Sequence, residues 1–537
     1  MPILGQIVAE GGVFHRVVRC STPNSVLQVF LSVPAIDTYE SKHHATNGPG
    51  ARRCAAFEIG AALTSVLILA SCVSLDPHTG PPSLPVTAAY PADAIDPRTD
   101  AGQDAASVGW RDYFADPRLR DLISQALDHN RDLRIAVLRV EEARAGYGIK
   151  RADQFPAFNL GAFGIRTRLP ANGLTGQPLI LTEYDVGLSE LAWEVDFWGR
   201  VHNLKEAALE SYLATDEARR GATISLIEQV ANSYLSLREL DERLALAQQT
   251  VVSREESFRI FKRRFEVGSI SKLDLTQVET LLAQAQALNA QLEQERAGQA
   301  HALALLIGAP IDLAPAADDF DDQAVLFELR AGLPSDLLAN RPDIVAAEHQ
   351  LKAASANVGA ARAAFFPRVT LTGSIATTSA GLDGLFEGGN RSWTFLPSIS
   401  LPIFDGGRNS ANLDLARVRD NLAVANYEKT VQAAFRDVSD ALSSRQWLTE
   451  QVRIQRATLA TQTERARLAK LRYDNGAAAF LEVLDAQRDL LSAQQLLVQA
   501  RRALLSSRVN LYAALGGGAQ EAAIPSPGSA PINPASH

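Results

Sequence analysis

Glu482 and Asp485 are the residues of this sequence whose type and spacing point most directly to chemistry. They lie three positions apart shortly after Gly476, so in a helix both carboxylates would lie on one face. Carboxylates near the start of a helix interact favourably with its dipole and can simply face water. Where several carboxylates converge, they also repel one another and attract cations. The residue pattern leaves both interpretations open.

No catalytic arrangement stands out in the rest of the chain. The nine histidines are scattered without an H-E-x-x-H pattern, and Gly516-Gly-Gly518 lacks the lysine and the spacing of a phosphate-binding loop. The three cysteines, at positions 20, 54 and 72, all precede the main body, which argues against a structural zinc site or a thiol enzyme there. We therefore predict that the protein is not an enzyme and has no metal or other cofactor.

The segment that ends at Cys72 has the features of a bacterial export signal. Two arginines precede the apolar stretch 59–70, and Leu69-Ala-Ser-Cys72 resembles the lipobox of bacterial lipoproteins, in which the cysteine is lipidated and becomes the new N-terminus. An ordinary signal peptide with a chance cysteine is the alternative. We expect residues 1–71 to be removed as leader and signal peptide, and residues 72–110 to form a tether carrying covalent lipid at Cys72.

Composition and charge argue against two other classes of protein. The 537 residues are 46% hydrophobic and carry a formal net charge of −9, so the chain lacks the basic surface that a nucleic-acid partner requires. No run of 18 or more apolar residues follows Cys72, and we therefore expect no membrane-spanning helix in the body. Any crossing of a membrane would have to use strands.

Two very long helical runs surround Gly476, at about 408–475 and 477–515. The first contains no proline and would extend on the order of 100 Å at about 1.5 Å per residue, which is too long for a globular core. Glycine adopts the positive φ that ends many helices, so Gly476 suits a reversal between antiparallel helices. The same construction recurs around Gly268, over about 201–308.

Matching glycines indicate a tandem duplication. A spacing of 208 residues separates Gly199 from Gly407, Gly268 from Gly476, and Gly308 from Gly516. A repeat of this length is a duplicated half-protein and not a short solenoid unit. We expect the first repeat at 111–310, a linker at 311–333, the second repeat at 334–516, and a disordered tail at 517–537.

Each repeat also contains two segments in which apolar and polar residues alternate. We expect strands at about 155–169 and 182–195 in the first repeat, and at about 366–378 and 391–403 in the second. Such alternation is typical of membrane strands, and also of a sheet half-buried on a soluble core. Four strands cannot close a barrel and an open edge cannot lie in lipid, so the membrane interpretation requires several copies to combine their strands.

Five stretches, in this order, make the chain resemble the TolC-like outer-membrane factors, and among them the lipoprotein branch that serves resistance-nodulation-division (RND) efflux pumps. The resemblance covers about residues 72–518. The stretches are Trp193-Glu-Val-Asp-Phe-Trp-Gly-Arg200, Arg341-Pro-Asp343, Ala361-Arg-Ala-Ala-Phe-Phe-Pro367, Leu401-Pro-Ile-Phe-Asp-Gly-Gly-Arg408 and Phe480-Leu-Glu-Val-Leu-Asp-Ala-Gln487.

This resemblance implies a mainly α fold with membrane β-strands. The expected assembly is a homotrimer whose twelve-stranded outer-membrane β-barrel stands on a twelve-helix periplasmic α-barrel, with a mixed equatorial belt. The implied function is a passive exit duct for drugs or other small solutes, working with a periplasmic adaptor protein and an inner-membrane RND pump. The alternatives are the exit duct of a type I protein secretion system, which the lipobox disfavours, and a periplasmic coiled-coil adaptor or structural protein, which the duplicated hairpin disfavours.

The resemblance also implies a gate at the periplasmic mouth, made of acidic residues that ring the opening and of residues that bond between neighbouring helices. The matching positions are Glu482 and Asp485 for the ring, and Tyr473 and Asp274 for the bonds. The turns at Gly268 and Gly476 would dock the adaptor. A basic latch residue that some relatives carry two positions after the turn glycine is Ala478 here, so we expect the closed state to be held differently.

Overall fold

A computed structural model of the chain describes residues 103–171, 177–314, 329–330, 338 and 340–518. The expected signal peptide, the expected lipidation site at Cys72, most of the tether and of the linker, and the tail after position 518 lie outside the described residues.

The described part of the chain is mainly helical, and its four longer strands occur in two pairs between the helices. The helices are α1 (Trp110–Tyr113), α2 (Pro117–His129), α3 (Arg131–Ala152), α4 (Arg200–Glu266), α5 (Lys272–Ile307), α6 (Pro342–Ala363), α7 (Arg408–Asp474) and α8 (Phe480–Ala514). The strands are β1 (Gln103–Asp104), β2 (Phe158–Leu169), β3 (Leu179–Val195), β4 (Leu329–Arg330), β5 (Arg368–Ser379) and β6 (Arg391–Ser400).

The helices repeat with the period found in the sequence. Helices α4 and α7 each have 67 residues, and shifting Arg200–Glu266 by 208 positions gives Arg408–Asp474. Helix α5 has 36 residues and α8 has 35, with the same shift between their first residues. Helices α3 and α6 have 22 residues each and are related by a shift of 211. The fold is therefore duplicated, as the spaced glycines predict.

The turns between the long helices are longer than the single glycine expected from the sequence. Helix α7 ends at Asp474 and α8 begins at Phe480, so five residues separate them. Gly476 has φ of 71°, and the N–H of Ala477 donates to the carbonyl of Arg472 at 2.8 Å. This is the Schellman ending, which satisfies carbonyls left free at the end of a helix. The chain then needs extended residues before a new helix can begin.

The longer strands form one antiparallel four-stranded sheet in the described residues, in the order β2-β3-β5-β6. Strand β3 begins at Leu179, earlier than expected, because its first residues pair with the end of β2. The register places Leu160, Leu188, Ile375 and Trp393 in one row across the four strands, all at least half exposed. The polar residues Asn159, Ser189, Ser374 and Thr394 form the adjacent row on the opposite face.

The apolar core lies where the short helices α1 and α2 pack on the long ones. The rings of Tyr113 and Tyr512 stack with centroids 4.1 Å apart. Asp116 caps α2 by accepting from the N–H groups of Arg118 and Leu119, and its second oxygen accepts from the Tyr234 hydroxyl at 2.7 Å. This cap ties α2 to α4. Among the described residues, no helix is both long and apolar enough to cross a bilayer.

Candidate functional site at the hairpin tips

The candidate site lies at the ends of the two long hairpins, α4–α5 and α7–α8, where the sequence predicted a gate. Gly268 and Gly476 occupy the same place in the two turns, with φ of 75° and 71°. A Cβ added at either position would meet no atom within 4 Å. The positive φ, and not crowding, is therefore the reason for glycine at both turns.

The two tips pack against each other through Phe480, the first residue of α8. Its ring lies 4.3 Å from that of Phe261 on α4 and 4.9 Å from that of Tyr473 on α7. Val278 and Leu484 are fully buried beside this contact. The shared apolar contact holds the tips of both hairpins together within one chain.

Tyr473 links the hairpins by a polar contact as well. The Arg264 guanidinium at the end of α4 donates to the Tyr473 hydroxyl at 2.5 Å, across 209 residues of sequence. Sequence reasoning identified Tyr473 but missed Arg264. The guanidinium also lies over the Phe261 ring at 5.7 Å, so its position is supported from two sides.

Asp274 lies in the first turn of α5 and is engaged locally. Its carboxylate accepts from the backbone N–H of Ser271 at 3.1 Å and from the Ser271 hydroxyl at 2.7 Å. The N–H of Asp274 in turn donates to the Ser271 hydroxyl, which completes a capping box. Within the single chain, Asp274 therefore stabilises the start of its own helix and is not brought to Tyr473.

Glu482 and Asp485 both face solvent on the first turns of α8, and each has an arginine partner. Arg472 on α7 donates to the Glu482 carboxylate at 2.7 Å, closing the turn from the opposite helix. Arg488 lies 3.4 Å from Asp485 on the same helix. The two carboxylates thus share a face, as their spacing predicts, and arginines partly neutralise it.

A third acidic residue extends this face by one turn. Asp489 accepts from Arg465 at 2.6 Å and from Arg488 at 2.9 Å. Hydrogen bonds from Arg465 and then Arg488 hold the pKa of Asp489 below its usual range. Sequence reasoning missed Asp489, although its spacing from Glu482 and Asp485 follows the helical period.

The duplication shows why the two tips differ. Shifted by 208 positions, Arg264 and Asp274 coincide with Arg472 and Glu482. The first tip has Ser271 as N-cap, which holds Asp274, whereas the second has Ala479 at that position and no side-chain cap. Glu482 is consequently free of its own helix end and bonds to Arg472. The 208-residue spacing also relates Arg264 to Arg472, and this repeated arginine was the signal in the sequence for both of them.

No group of three or more His, Cys, Asp or Glu side chains is arranged to hold a metal ion in the part of the chain that the structure describes.

Comparison with known protein families identifies relatives of this chain. The sequence profile described as "outer membrane efflux protein" matches residues 122–309 and 333–517, one match in each repeat. The chain is 44% identical to the probable efflux pump outer membrane protein TtgC of Pseudomonas putida, over 84% of this chain and 94% of that protein. It is 42% identical to the outer membrane protein OprJ of Pseudomonas aeruginosa, over 86% and 96%.

Solved structures of membrane proteins have a similar fold. A membrane protein from Pseudomonas aeruginosa superposes with a TM-score of 0.78 at 41% identity, covering 83% of this chain and all of the other. The open state of the MtrE outer membrane channel of Neisseria gonorrhoeae gives a TM-score of 0.75 at 38% identity, covering 83% of this chain and 98% of that one.

Proposed function

This chain belongs to the outer membrane efflux protein family, and we propose that three copies of it assemble into the exit duct of a tripartite pump. The protein is an outer-membrane efflux channel that extends into the periplasm and serves drug efflux by an RND-type pump. Relatives named as efflux pump outer membrane proteins favour efflux over the alternative of protein secretion. The family is one of channels and not of enzymes.

The observation that supports the proposed trimer is the four-stranded sheet, whose two edge strands each lack a neighbour on one side within the described part of the chain. One chain supplies four strands in the described residues, and β2 and β6 are each paired on one side only. The apolar row containing Leu160 and Trp393 lies on a face that the chain itself leaves exposed. Lipid can cover this face, but open edges in lipid would leave backbone groups unpaired. Strands from further copies satisfy those edges, and three copies give about twelve strands, within the range of membrane barrels.

We assign the membrane attachment to lipid at Cys72 together with the strands. One acyl modification alone binds a membrane weakly, and an inserted strand set makes the attachment permanent. The partners that follow are outer-membrane lipid, a periplasmic adaptor protein, and an inner-membrane RND pump that provides the energy. The adaptor is expected to contact the turns at Gly268 and Gly476.

The proposed gate consists of the acidic face of α8 and of the bonds that hold the tips. Glu482 and Asp485 from each copy would surround the opening, where they attract cations. Arg472 and the Arg264–Tyr473 bond keep the tips closed in this proposal, and they take the place of the basic latch residue that is absent at Ala478. Asp274 supports the gate through the α5 cap.

Single-channel conductance in a planar bilayer tests the gate. We expect the double variant Glu482→Ala, Asp485→Ala to conduct more, because the bond from Arg472 that holds the tip closed is lost. It should also lose block by divalent cations, because the carboxylates that attract them are removed. The control is Glu464→Ala, which removes an exposed carboxylate of α7 bonded to Arg467, away from the tip. Unchanged conductance and unchanged cation block in the double variant would exclude these residues as the constriction.

A further inference from the structure

A groove lies along the helices at the level where α8 ends and α6 begins. Its volume is about 950 Å³, and residues of α4, α6, α7 and α8 line it. Helices α6 and α8 both pack on α4 and on α7, so they form the floor of the groove between the two long helices. The Arg341 guanidinium, just before α6, donates to the carbonyl of Ala514 at the end of α8 at 3.1 Å. Clefts of this volume are typical of binding sites for small molecules.

The groove opens on the side of the helices that faces away from the apolar core. On α4, Ala218, Ser225 and Glu228 line the groove, whereas Ile227 and Tyr234 belong to the core shared with α1 and α2. At 3.6 residues per turn, Ser225 and Ile227 point to nearly opposite sides of α4. In the proposed duct we assign the groove to the side of the passage, because a folded layer such as α1 and α2 on the inner side would obstruct it.

Small side chains make the floor of the groove apolar and leave room above it. The lining residues of α6 and α8 include the alanines Ala346, Ala347, Ala503, Ala513 and Ala514. Ile224 of α4 and Leu448 of α7 add larger apolar side chains to the lining. A surface of this kind gains free energy by covering the apolar body of a solute.

The groove has an excess of negative charge. Four carboxylates and two guanidinium groups line it, which leaves a formal charge of −2; these residues are Glu228, Asp343, Asp437 and Asp440, and Arg341 and Arg502. Glu239 and Arg436 bond to lining residues from outside the groove, and counting both leaves that total unchanged. A groove with this charge favours a cationic ligand over an anionic one.

Both lining arginines are already paired with carboxylates. Arg341 donates to the two oxygens of Asp343 at 3.0 and 2.7 Å, and Arg502 donates to Glu239 at 2.8 Å. By contrast, Glu228 accepts no hydrogen bond and forms no ion pair within the part of the chain that the structure describes. Glu228 is therefore the carboxylate of the groove that is most open to a cation from outside the chain.

A buried hydroxyl in the same groove also lacks a partner. Ser506 of α8 is 9% exposed, and its Oγ makes no hydrogen bond among the described residues. The next residue, Ser507, donates to the carbonyl of Leu504 at 2.7 Å. Leaving a buried hydroxyl unpaired costs free energy, so a polar group that reaches Ser506 from the groove stabilises the bound state.

We infer that this groove binds amphipathic organic cations, with the ammonium group beside Glu228 and the apolar body along the alanines of α6 and α8. A polar group of the body exchanges a hydrogen bond with the Ser506 hydroxyl. Asp440 lies 3.9 Å from Arg436 and is 73% exposed, so its carboxylate attracts the cation from solvent. The inference deepens the proposed function, on which it rests for the place of the groove in the passage, because it gives the duct wall a site for one class of solute.

Fluorescence anisotropy with two matched probes tests the site on the purified full-length protein in detergent. Dansylcadaverine is a primary amine with an apolar fluorophore, and it is protonated at about pH 8. Dansylglycine has the same fluorophore and a carboxylate in place of the amine. We expect saturable binding of dansylcadaverine, and at least about fivefold weaker binding of dansylglycine, because the groove is acidic. Protein-free micelles give the background of each probe.

Two variants remove different parts of the site. Glu228→Gln keeps the size of the side chain and should raise the dissociation constant of dansylcadaverine at least about fivefold, because a charge-assisted hydrogen bond is lost. Ala503→Trp keeps every charge and fills the apolar floor, so it should weaken binding by a similar factor. The control Glu464→Gln removes an exposed carboxylate of α7 outside the groove and should leave the dissociation constant unchanged.

The outcomes separate the inferred site from the proposed function. A wild-type protein that forms a conducting trimer but binds both probes equally would overturn the site and leave the duct intact. The same holds if neither Glu228→Gln nor Ala503→Trp weakens binding, or if Glu464→Gln weakens it as much as Glu228→Gln does. A wild-type protein that runs as a single chain and binds dansylcadaverine through Glu228 would keep the site and overturn the trimer.

Discussion

Ser271 and Ala479 are the residues that precede α5 and α8, and they determine which partner the acidic residue three positions later can bind. Ser271 engages Asp274 in a capping box, so that carboxylate is used at its own helix end. Ala479 cannot accept or donate through its side chain, so Glu482 bonds across the turn to Arg472. This one-residue difference leaves the Glu482 carboxylate, unlike that of Asp274, available to residues outside its own helix.

This contrast predicts the effect of Ala479→Ser. A serine there completes the S-x-x-E pattern and should stabilise the start of α8 by about 1 kcal/mol, while drawing Glu482 away from Arg472. We expect Arg472→Ala to raise conductance in the natural sequence and to have little further effect once Ala479→Ser is present. Single-channel recording of the four combinations measures this. Additive effects would show that Glu482 does not respond to the cap.

At the scale of a single element, α4 contains a half-buried carboxylate, that of Glu228, which lowers the stability of the folded state. Burial and then the nearby charge of Asp437 raise the pKa of Glu228, and Arg341 opposes this only in part. A raised pKa means that the folded state holds the proton more tightly than the unfolded state. The cost is therefore fully present above the folded pKa and is lost as pH falls through it.

Glu228→Gln should accordingly raise the melting temperature at about pH 7.5, by roughly 1–2 °C, with a smaller gain at about pH 4.5. Thermal unfolding followed by circular dichroism at several pH values measures the effect. Glu464→Gln serves as control, because the hydrogen bond from Arg467 lowers the pKa of that exposed carboxyl, so its removal brings no gain at neutral pH. A gain in melting temperature for Glu228→Gln that grows towards acid pH would contradict a raised pKa of Glu228 in the folded state.

At the scale of the whole molecule, the two faces of the sheet predict different tolerance to charge. Trp393 is 77% exposed on the apolar row of β6, and Thr394 next to it points to the polar face. If the apolar row faces lipid, Trp393→Lys should lower the stability of the membrane-inserted protein by about 2–4 kcal/mol and reduce the amount of trimer in the membrane. Thr394→Lys should be tolerated, because its side chain would lie on the polar face.

Gel migration without boiling checks this prediction. The wild-type protein should run as a trimer that heating converts to single chains, and the trimer band should weaken for Trp393→Lys alone. Equal bands for both variants, or a wild-type protein that runs as a single chain before heating, would argue against a shared membrane wall.

Much of this architecture follows from the sequence because its signals are local or periodic. Proline-free runs predict long helices, glycines 208 residues apart predict a duplicated fold, and alternating residues predict strands. The structure keeps that period in Arg200–Glu266 and Arg408–Asp474. The acidic pair Glu482 and Asp485 was also visible from spacing alone.

Only the tertiary structure decided which side chains meet. Arg264 bonds to Tyr473 over 209 residues, and β3 pairs with β5 of the other repeat. Asp274 and Glu482 occupy equivalent positions but take different partners, because a serine cap competes for one and not for the other. Such choices depend on how distant segments pack and on competing donors nearby, and neither is encoded in the period of a sequence.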